Sequence, residues 1–97
     1  DFVVAQDGTV MHGLALIYIL RDMSEIKVFK IIQESLDFTR IQVVAETGLH
    51  PSQISRITES FQTRLGWDVK IKVEQVSEIP AEKSGKFRYV VSKVAGV

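Results

Sequence analysis

The feature that most constrains the fold is a change of hydrophobic period at Gly66. Before it, large apolar side chains recur at helical spacing, and they are Ile54, Ile57, Phe61 and Leu65. After it, apolar and charged residues alternate over residues 69–74, which is typical of a strand with one exposed face. Pro51 suits the first helical turn, and Gly66 suits the residue just past the helix end. A helix followed at once by a half-exposed strand predicts that helices cover one face of a sheet.

The remaining segments complete an alternating order of elements. A short strand in "DFVVAQDGT" runs into an Asp7-Gly8 turn, and a helix candidate spans Gly13 to Met23. Two β-branched runs, "IKVFKIIQ" and "DFTRIQVVA", are joined by the short linker "ESL", which predicts a hairpin. The order is βαββαβ, as in ferredoxin-like domains. We therefore predict a small α+β domain of that kind, ending in a lysine-bearing loop and a tail from Phe87 to Val94, with Trp67 in its core.

Size and composition exclude several classes of function. The chain has 97 residues, zero formal net charge and no cysteine. A chain of this length forms one domain that buries about 60–65% of its unfolded surface. Zero net charge disfavours nucleic acid and acidic membranes as partners, and the absence of cysteine excludes thiolate nucleophiles and disulfides. His12 and His50 are too far apart in the sequence to indicate a metal site.

The chain carries no sign of a membrane or export segment. The longest apolar run, Leu14 to Leu20, is too short to cross a bilayer and lacks the basic flank of a signal peptide. The first residue is Asp rather than Met, which suggests an excised piece or a processed product. We expect a soluble, cytoplasmic domain.

The residues that carry chemistry lie near the carboxyl end. Pro80, Ser84, Gly85 and Lys86 form the pattern Pro-x-x-x-Ser-Gly-Lys, which arises by chance in about one chain of this length in a thousand. The pattern is not a phosphate-binding Walker loop, because the required Gly-x-x-x-x-Gly-Lys-Ser/Thr spacing fails. Taken alone, Lys86 reads as an ordinary solvated loop lysine.

With its flanking residues, the pattern resembles the last signature of the adenylate-forming enzymes, the acyl- and aryl-coenzyme A ligases and their relatives. The nearest resemblance is to the phenylacetate–coenzyme A ligase branch and its capsular-polysaccharide-biosynthesis relatives. It rests on "QESLD" at Gln33 to Asp37, on "GKFRYVVS" at Gly85 to Ser92, and on the layout of "DFVVAQDGTVMHGLALIYIL". The resemblance covers essentially the whole chain and implies that residues 1–97 are one C-terminal lid domain.

The resemblance implies a catalytic role for Lys86. Joining a carboxylate to the α-phosphate of ATP brings anions together, and a positioned ammonium stabilises the charge that develops. Lysine suits this role because it is a compact charge on a long stem. Pro80, Ser84 and Gly85 are expected to support the loop, since proline stiffens its start and glycine adopts conformations barred to other residues.

The resemblance also implies movement. In the family, the small domain swings about a hinge between an adenylating and a thioester-forming arrangement. Asp1 would be the hinge residue, and the turn at Gly8 would approach the reaction centre in the second arrangement. Arg88 lies two places past Lys86, where many members have an arginine at three, so no catalytic role is assigned to it.

The implied cofactors are ATP or AMP with magnesium, and coenzyme A. The family binds them mainly on a large N-terminal domain, which these 97 residues do not contain, so we expect no cofactor or metal in this chain and no activity from it alone. Its expected partners are its own N-terminal domain and a carboxylic acid substrate. The first helix is apolar where the family usually has Glu near its start, which suggests altered packing of this helix against the large domain or against a second copy of the chain.

Two other classes of function share the predicted topology. One is a regulatory module that binds a metabolite between subunits and uses the first loop, at Asp7-Gly8, as a ligand clasp. The other is an RNA-recognition domain. The RNA alternative is the weaker, because the central strands lack the paired aromatics and the basic patch that such domains use.

Overall fold

A computed structural model of the protein describes residues 2–85 and 87–94. The elements are β1 (Phe2–Val4), β2 (Val10–His12), α1 (Leu14–Arg21), β3 (Ile26–Ser35), β4 (Phe38–Ala45), α2 (Pro51–Leu65), β5 (Lys70–Gln75) and β6 (Val90–Ser92). The predicted α+β class is confirmed, and every predicted helix and strand is present. Neither helix in the described part of the chain is long and apolar enough to cross a membrane.

The main sheet has four strands in the order β5-β4-β3-β6. Its centre is the antiparallel hairpin of β3 and β4, and both edge strands are parallel to their neighbours. The first strand does not enter this sheet, as it would in a ferredoxin-like order. It pairs with β2 as a separate hairpin, and β6 lies beside β3 instead.

The β1–β2 hairpin is closed by its own turn. The Ala5 amide donates to the Thr9 carbonyl (2.8 Å), and the Asp7 carboxylate accepts from the Thr9 amide (2.9 Å). Gly8 has a φ of +93°, a conformation that glycine adopts readily. The turn was predicted from Asp7-Gly8. The strand that follows the turn was not predicted, because Val10–His12 is only three residues long, too short to show an alternation of apolar and polar residues.

Both helices pack on the same face of the main sheet. The largest fully buried side chains come from α1, α2, β3 and β4 and include Leu16, Leu20, Ile31, Ile41, Ile57, Phe61 and Leu65. The helix predicted after Pro51 is confirmed, with His50 as its N-cap and the Gln53 side chain accepting from the His50 amide (2.7 Å). The prediction that Trp67 is buried is wrong. It lies 68% exposed in the turn after Gly66, whereas Phe61 is fully buried.

The side-chain amide of Gln33 joins the hairpin to the main sheet. Gln33, on β3, is 1% exposed. Its Oε1 accepts from the Val4 amide (3.0 Å), and its Nε2 donates to the Val4 carbonyl (2.6 Å). The Ser92 hydroxyl on β6 donates to the same Oε1 (2.7 Å). One buried amide therefore links β1, β3 and β6.

We expect Gln33→Leu to lower the free energy of unfolding by about 2–5 kcal/mol, because it leaves two buried backbone groups of Val4 without partners. Urea unfolding of the domain measures this change. The matched control is Gln42→Leu on β4, whose side chain makes no hydrogen bond to another described residue. An equal loss in both variants would contradict the role assigned to Gln33.

A substitution at Thr39 is expected to raise the free energy of unfolding, whereas Gln33→Leu lowers it. Thr39 lies opposite Gln33 on β4, is fully buried, and its hydroxyl has no hydrogen-bond partner in the described part of the chain. A valine of nearly the same shape removes the unsatisfied hydroxyl, so Thr39→Val should stabilise the domain by about 1 kcal/mol. The same urea titration tests it. A clear destabilisation would show that the hydroxyl has a partner, such as a buried water.

Candidate functional site

The loop that carries the Pro-x-x-x-Ser-Gly-Lys pattern passes from one edge of the main sheet to the other. It follows β5 at one edge and precedes β6 at the opposite edge. It starts where the Val76 amide donates to the Val43 carbonyl (2.9 Å) and ends where the Ile31 amide donates to the Tyr89 carbonyl (2.7 Å). The loop therefore lies at the end of the sheet where β4 ends and β3 begins.

Lys30 on β3 holds the loop from the face of the sheet that carries no helix. Phe29 and Ile31 on either side of it are buried in the core, so Lys30 points to the opposite face. Its Nζ lies 2.9 Å from Oε1 of Glu82. The Lys30 side chain is 16% exposed and that of Glu82 is 37% exposed. The hydrogen bond and the positive charge of Lys30 lower the pKa of Glu82, and the charge of Arg88 lowers it further.

A tight turn follows Glu82. The Gly85 amide donates to the Glu82 carbonyl (2.8 Å), and Gly85 has a φ of +82°. A Cβ at Gly85 would meet no atom within 4 Å, so the need for glycine is conformational rather than steric. Pro80 and Ser84, predicted to support the loop, are both exposed. The side-chain contact to the sheet comes from Glu82, which lies inside the pattern but was not singled out from the sequence.

The chain after the pattern is anchored by aromatic side chains. Phe87 contacts Tyr89 edge-on, with ring centroids 4.8 Å apart, and Tyr89 packs on Phe29 at 5.1 Å. The Arg21 guanidinium lies 5.4 Å from the centroid of the Tyr89 ring. The loop is thus fixed to Lys30 on one side of position 86 and to Phe29 on the other.

Two of the predicted site residues, Asp1 and Lys86, lie outside the described residues. Their predicted roles, as hinge and as catalytic cation, stay predictions. The described contacts bear on the residues around Lys86. Glu82 contacts Lys30 and Tyr89 contacts Phe29, which are consecutive residues of β3. Gly85 lies in the turn that its amide closes on the Glu82 carbonyl.

The Gly8 turn lies at the other end of the sheet. The Gln6 amide beside it donates to the Leu65 carbonyl at the end of α2 (2.7 Å), and the Gln6 Nε2 donates to Asp37 (3.2 Å). Strand β3 extends for about 17 Å from Lys30 to its end at Ser35, and Asp37 lies in the turn beyond that end. Among the described residues, the Gly8 turn and residues 77–85 therefore have their contacts at different positions along β3.

The described residues offer no metal centre. Among them, no three His, Asp or Glu side chains are grouped closely enough to hold an ion. A shallow cleft between the start of α1 and the residues after the loop is lined by His12, Leu14, Ile17, Arg88 and Tyr89. Within it, Nδ1 of His12 accepts from the Leu14 amide (3.1 Å), so His12 is engaged in holding the start of α1.

With this geometry in place, comparison with known proteins assigns the chain to a family. A family model described as the CapK C-terminal domain matches residues 3–93. The chain belongs to the CapK C-terminal domain family. This membership confirms the resemblance to the capsular-type branch that the sequence indicated.

A solved structure shares the fold. It is a domain of phenylacetate-coenzyme A ligase from Bacteroides vulgatus, with a TM-score of 0.63 and 14% sequence identity, and the match covers 100% of this chain and 96% of that one. The likeness at this identity shows the fold. No curated protein matches the chain.

The ionic state of Glu82 can be tested directly. Lys30→Met removes the hydrogen bond and the charge that chiefly lower the pKa of Glu82, so that pKa should rise toward its ordinary value. Carboxyl-carbon NMR across an acid titration measures it. The control is Lys27→Met, which breaks the exposed Lys27–Glu46 pair (3.0 Å) and should leave Glu82 unchanged. An unchanged Glu82 titration in Lys30→Met would mean that the two groups do not interact in solution.

Proposed function

We propose that this chain is the C-terminal domain of an ATP-dependent carboxylic acid–coenzyme A ligase. In this proposal Lys86 supplies positive charge during acyl-adenylate formation, and the domain turns about Asp1 for the thioester-forming step. The support is the family membership over residues 3–93, the shared fold with a domain of phenylacetate-coenzyme A ligase, and the Pro-x-x-x-Ser-Gly-Lys pattern.

The observation that carries the proposal is the separation of the two candidate loops. The loop before β6 is held at Lys30 in the middle of β3, and the Gly8 turn is held near Asp37 beyond the end of that strand. The contacts that hold the two loops are different ones, so the domain in one orientation presents one loop and, turned about its hinge, presents the other, as the proposed two-step reaction requires.

The charge chemistry fits a lysine at position 86. The transition state of adenylation accumulates negative charge on the α-phosphate, and a cation that the loop brings to it stabilises that charge. ATP, magnesium and coenzyme A would be bound mainly by the N-terminal domain, as would the carboxylic acid. The described residues of this chain contribute the loop, its anchors on β3 and the Gly8 turn.

The surface near the loop suits contact with the N-terminal domain. Large apolar side chains are exposed on the hairpin, on α1 and after the loop, and they are Phe2, Val10, Leu14, Tyr18 and Tyr89. We therefore propose that this surface packs on the N-terminal domain, rather than on a second copy of the domain through α1.

The regulatory-module alternative is less well supported by the geometry. It requires the first loop to act as a ligand clasp. That loop is closed by its own Asp7–Thr9 hydrogen bond and by the Gly8 amide donating to the Ala5 carbonyl (2.9 Å). The polar groups that would contact a ligand there are already used within the turn.

The test is Lys86→Ala in the complete enzyme. Loss of one such charge contact costs about 100- to 1000-fold in rate, so acyl-adenylate formation should fall by that factor. Thioester formation from supplied acyl-adenylate should be largely retained. Lys83→Ala, at an exposed lysine three residues earlier, is the matched control and should leave both half-reactions near the wild-type rate. Equal loss of both half-reactions in Lys86→Ala would contradict the proposed role.

A further inference from the structure

We propose that Lys30 and Glu82 are positioning residues for adenylation, because their salt bridge across the sheet fixes the loop that presents position 86. This inference rests on the proposed function of Lys86, but it concerns different residues and a different element. Lys30 is in the middle of β3, and Glu82 lies four residues before Lys86.

The salt bridge is the tie between this loop and the sheet. Among hydrogen bonds and ion pairs between described residues, it is the one that connects residues 77–85 to the rest of the domain. Because the Gly85 amide closes a turn on the Glu82 carbonyl, a displacement of Glu82 is passed to the residue before Lys86. The anchor on the other side is the contact of Tyr89 with Phe29.

Among the described residues, the acidic side chains on neighbouring strands of this face are already paired. Glu34 and Glu74 both pair with Arg40, at 2.7 and 3.3 Å. Glu34 also pairs with Lys93 (2.7 Å). The residue opposite Lys30 on β4 is Gln42, which is neutral. Glu82 is thus the carboxylate available to Lys30, and the low exposure of the Lys30 side chain makes loss of that partner costly.

The salt bridge and the aromatic contact together define a crossing. Lys30 faces the side of the sheet without helices, whereas Phe29 is part of the helix-covered core. The chain passes from the first face to the second between Glu82 and Tyr89. The described residues on the two sides of position 86, Glu82 and Tyr89, are therefore held by consecutive residues of one strand, Lys30 and Phe29. A catalytic group needs rigid support of this kind, because a misplacement of about 1 Å can lower the reaction rate by about 100-fold.

The experiment uses the complete enzyme and the two separate half-reactions. Glu82→Gln and Lys30→Met should each lower kcat for acyl-adenylate formation by about 10- to 100-fold, with KM for ATP and for the acid nearly unchanged. Thioester formation from supplied adenylate should not change. The exchanged pair, Lys30→Glu with Glu82→Lys, should recover kcat to within about threefold, because it restores the attraction. The control variants Lys27→Met and Glu46→Gln break a pair of similar length on the same sheet and should have no effect.

A second measurement separates positioning from folding. Hydrogen exchange of the Gly85 amide, which donates to the Glu82 carbonyl, should be faster in both single variants, while exchange of β3 and β4 stays as in the wild type. Unchanged exchange of that amide, or wild-type adenylation in both single variants when Lys86→Ala has lost it, would overturn the inference. Failure of the proposed function gives a different pattern, in which Lys86→Ala itself keeps adenylation. That result removes the role of position 86, and the positioning role falls with it.

Discussion

The connection between the first hairpin and the main sheet depends on the side-chain amide of Gln33, which forms the hydrogen bonds that a strand backbone would otherwise form. The first hairpin lies outside the main sheet, so β1 has a neighbouring strand, β2, on one side only. The amide of Gln33 supplies both a donor and an acceptor to Val4, as a peptide unit of a strand would. A buried amide that is fully satisfied adds rigidity and specifies one arrangement, whereas a half-satisfied one is destabilising. Gln33 thus connects the first hairpin to β3 and, through the Ser92 hydroxyl, to β6.

The face of the sheet without helices carries a row of paired charges beside the buried side chain of Ile32. The charges alternate in sign from Lys93, just after β6, through Glu34 on β3 and Arg40 on β4 to Glu74 on β5. Single ion pairs at such partly exposed positions contribute little to stability, and the alternation matters more for which partner each group selects. Because Arg40 and Lys93 satisfy the acidic groups of the strands, Lys30 is left to hold a group from the loop. The polar face of the sheet therefore also binds the segment between β5 and β6, through the Lys30–Glu82 salt bridge.

The sequence predicts the parts of this fold that depend on local pattern. Helix α2 and strand β5 follow from periodicity around Gly66, and the turn at Gly8 follows from its dipeptide. The separate hairpin could not be predicted, because nothing local tells whether β1 pairs with β2 or with the main sheet. That choice depends on Gln33, which is 29 residues away from its partner Val4. Trp67 was misjudged for a similar reason, since a large aromatic next to a strand is usually buried unless a turn points it outward.

In the candidate site, too, the local sequence pattern was predictive, and a contact between residues far apart in the chain was missed. The pattern around Lys86 was recognised from its spacing and its resemblance to a family, but Glu82 was not recognised within it. Its partner Lys30 is 52 residues earlier, in a strand that looks ordinary in the sequence. The need for glycine at position 85 illustrates what the structure adds. The space around its α-carbon is open and only the sign of φ is restricted. Chirality, rather than bulk, is therefore the constraint there, so a D-amino acid, whose backbone favours positive φ, would fit a site that excludes its L-counterpart.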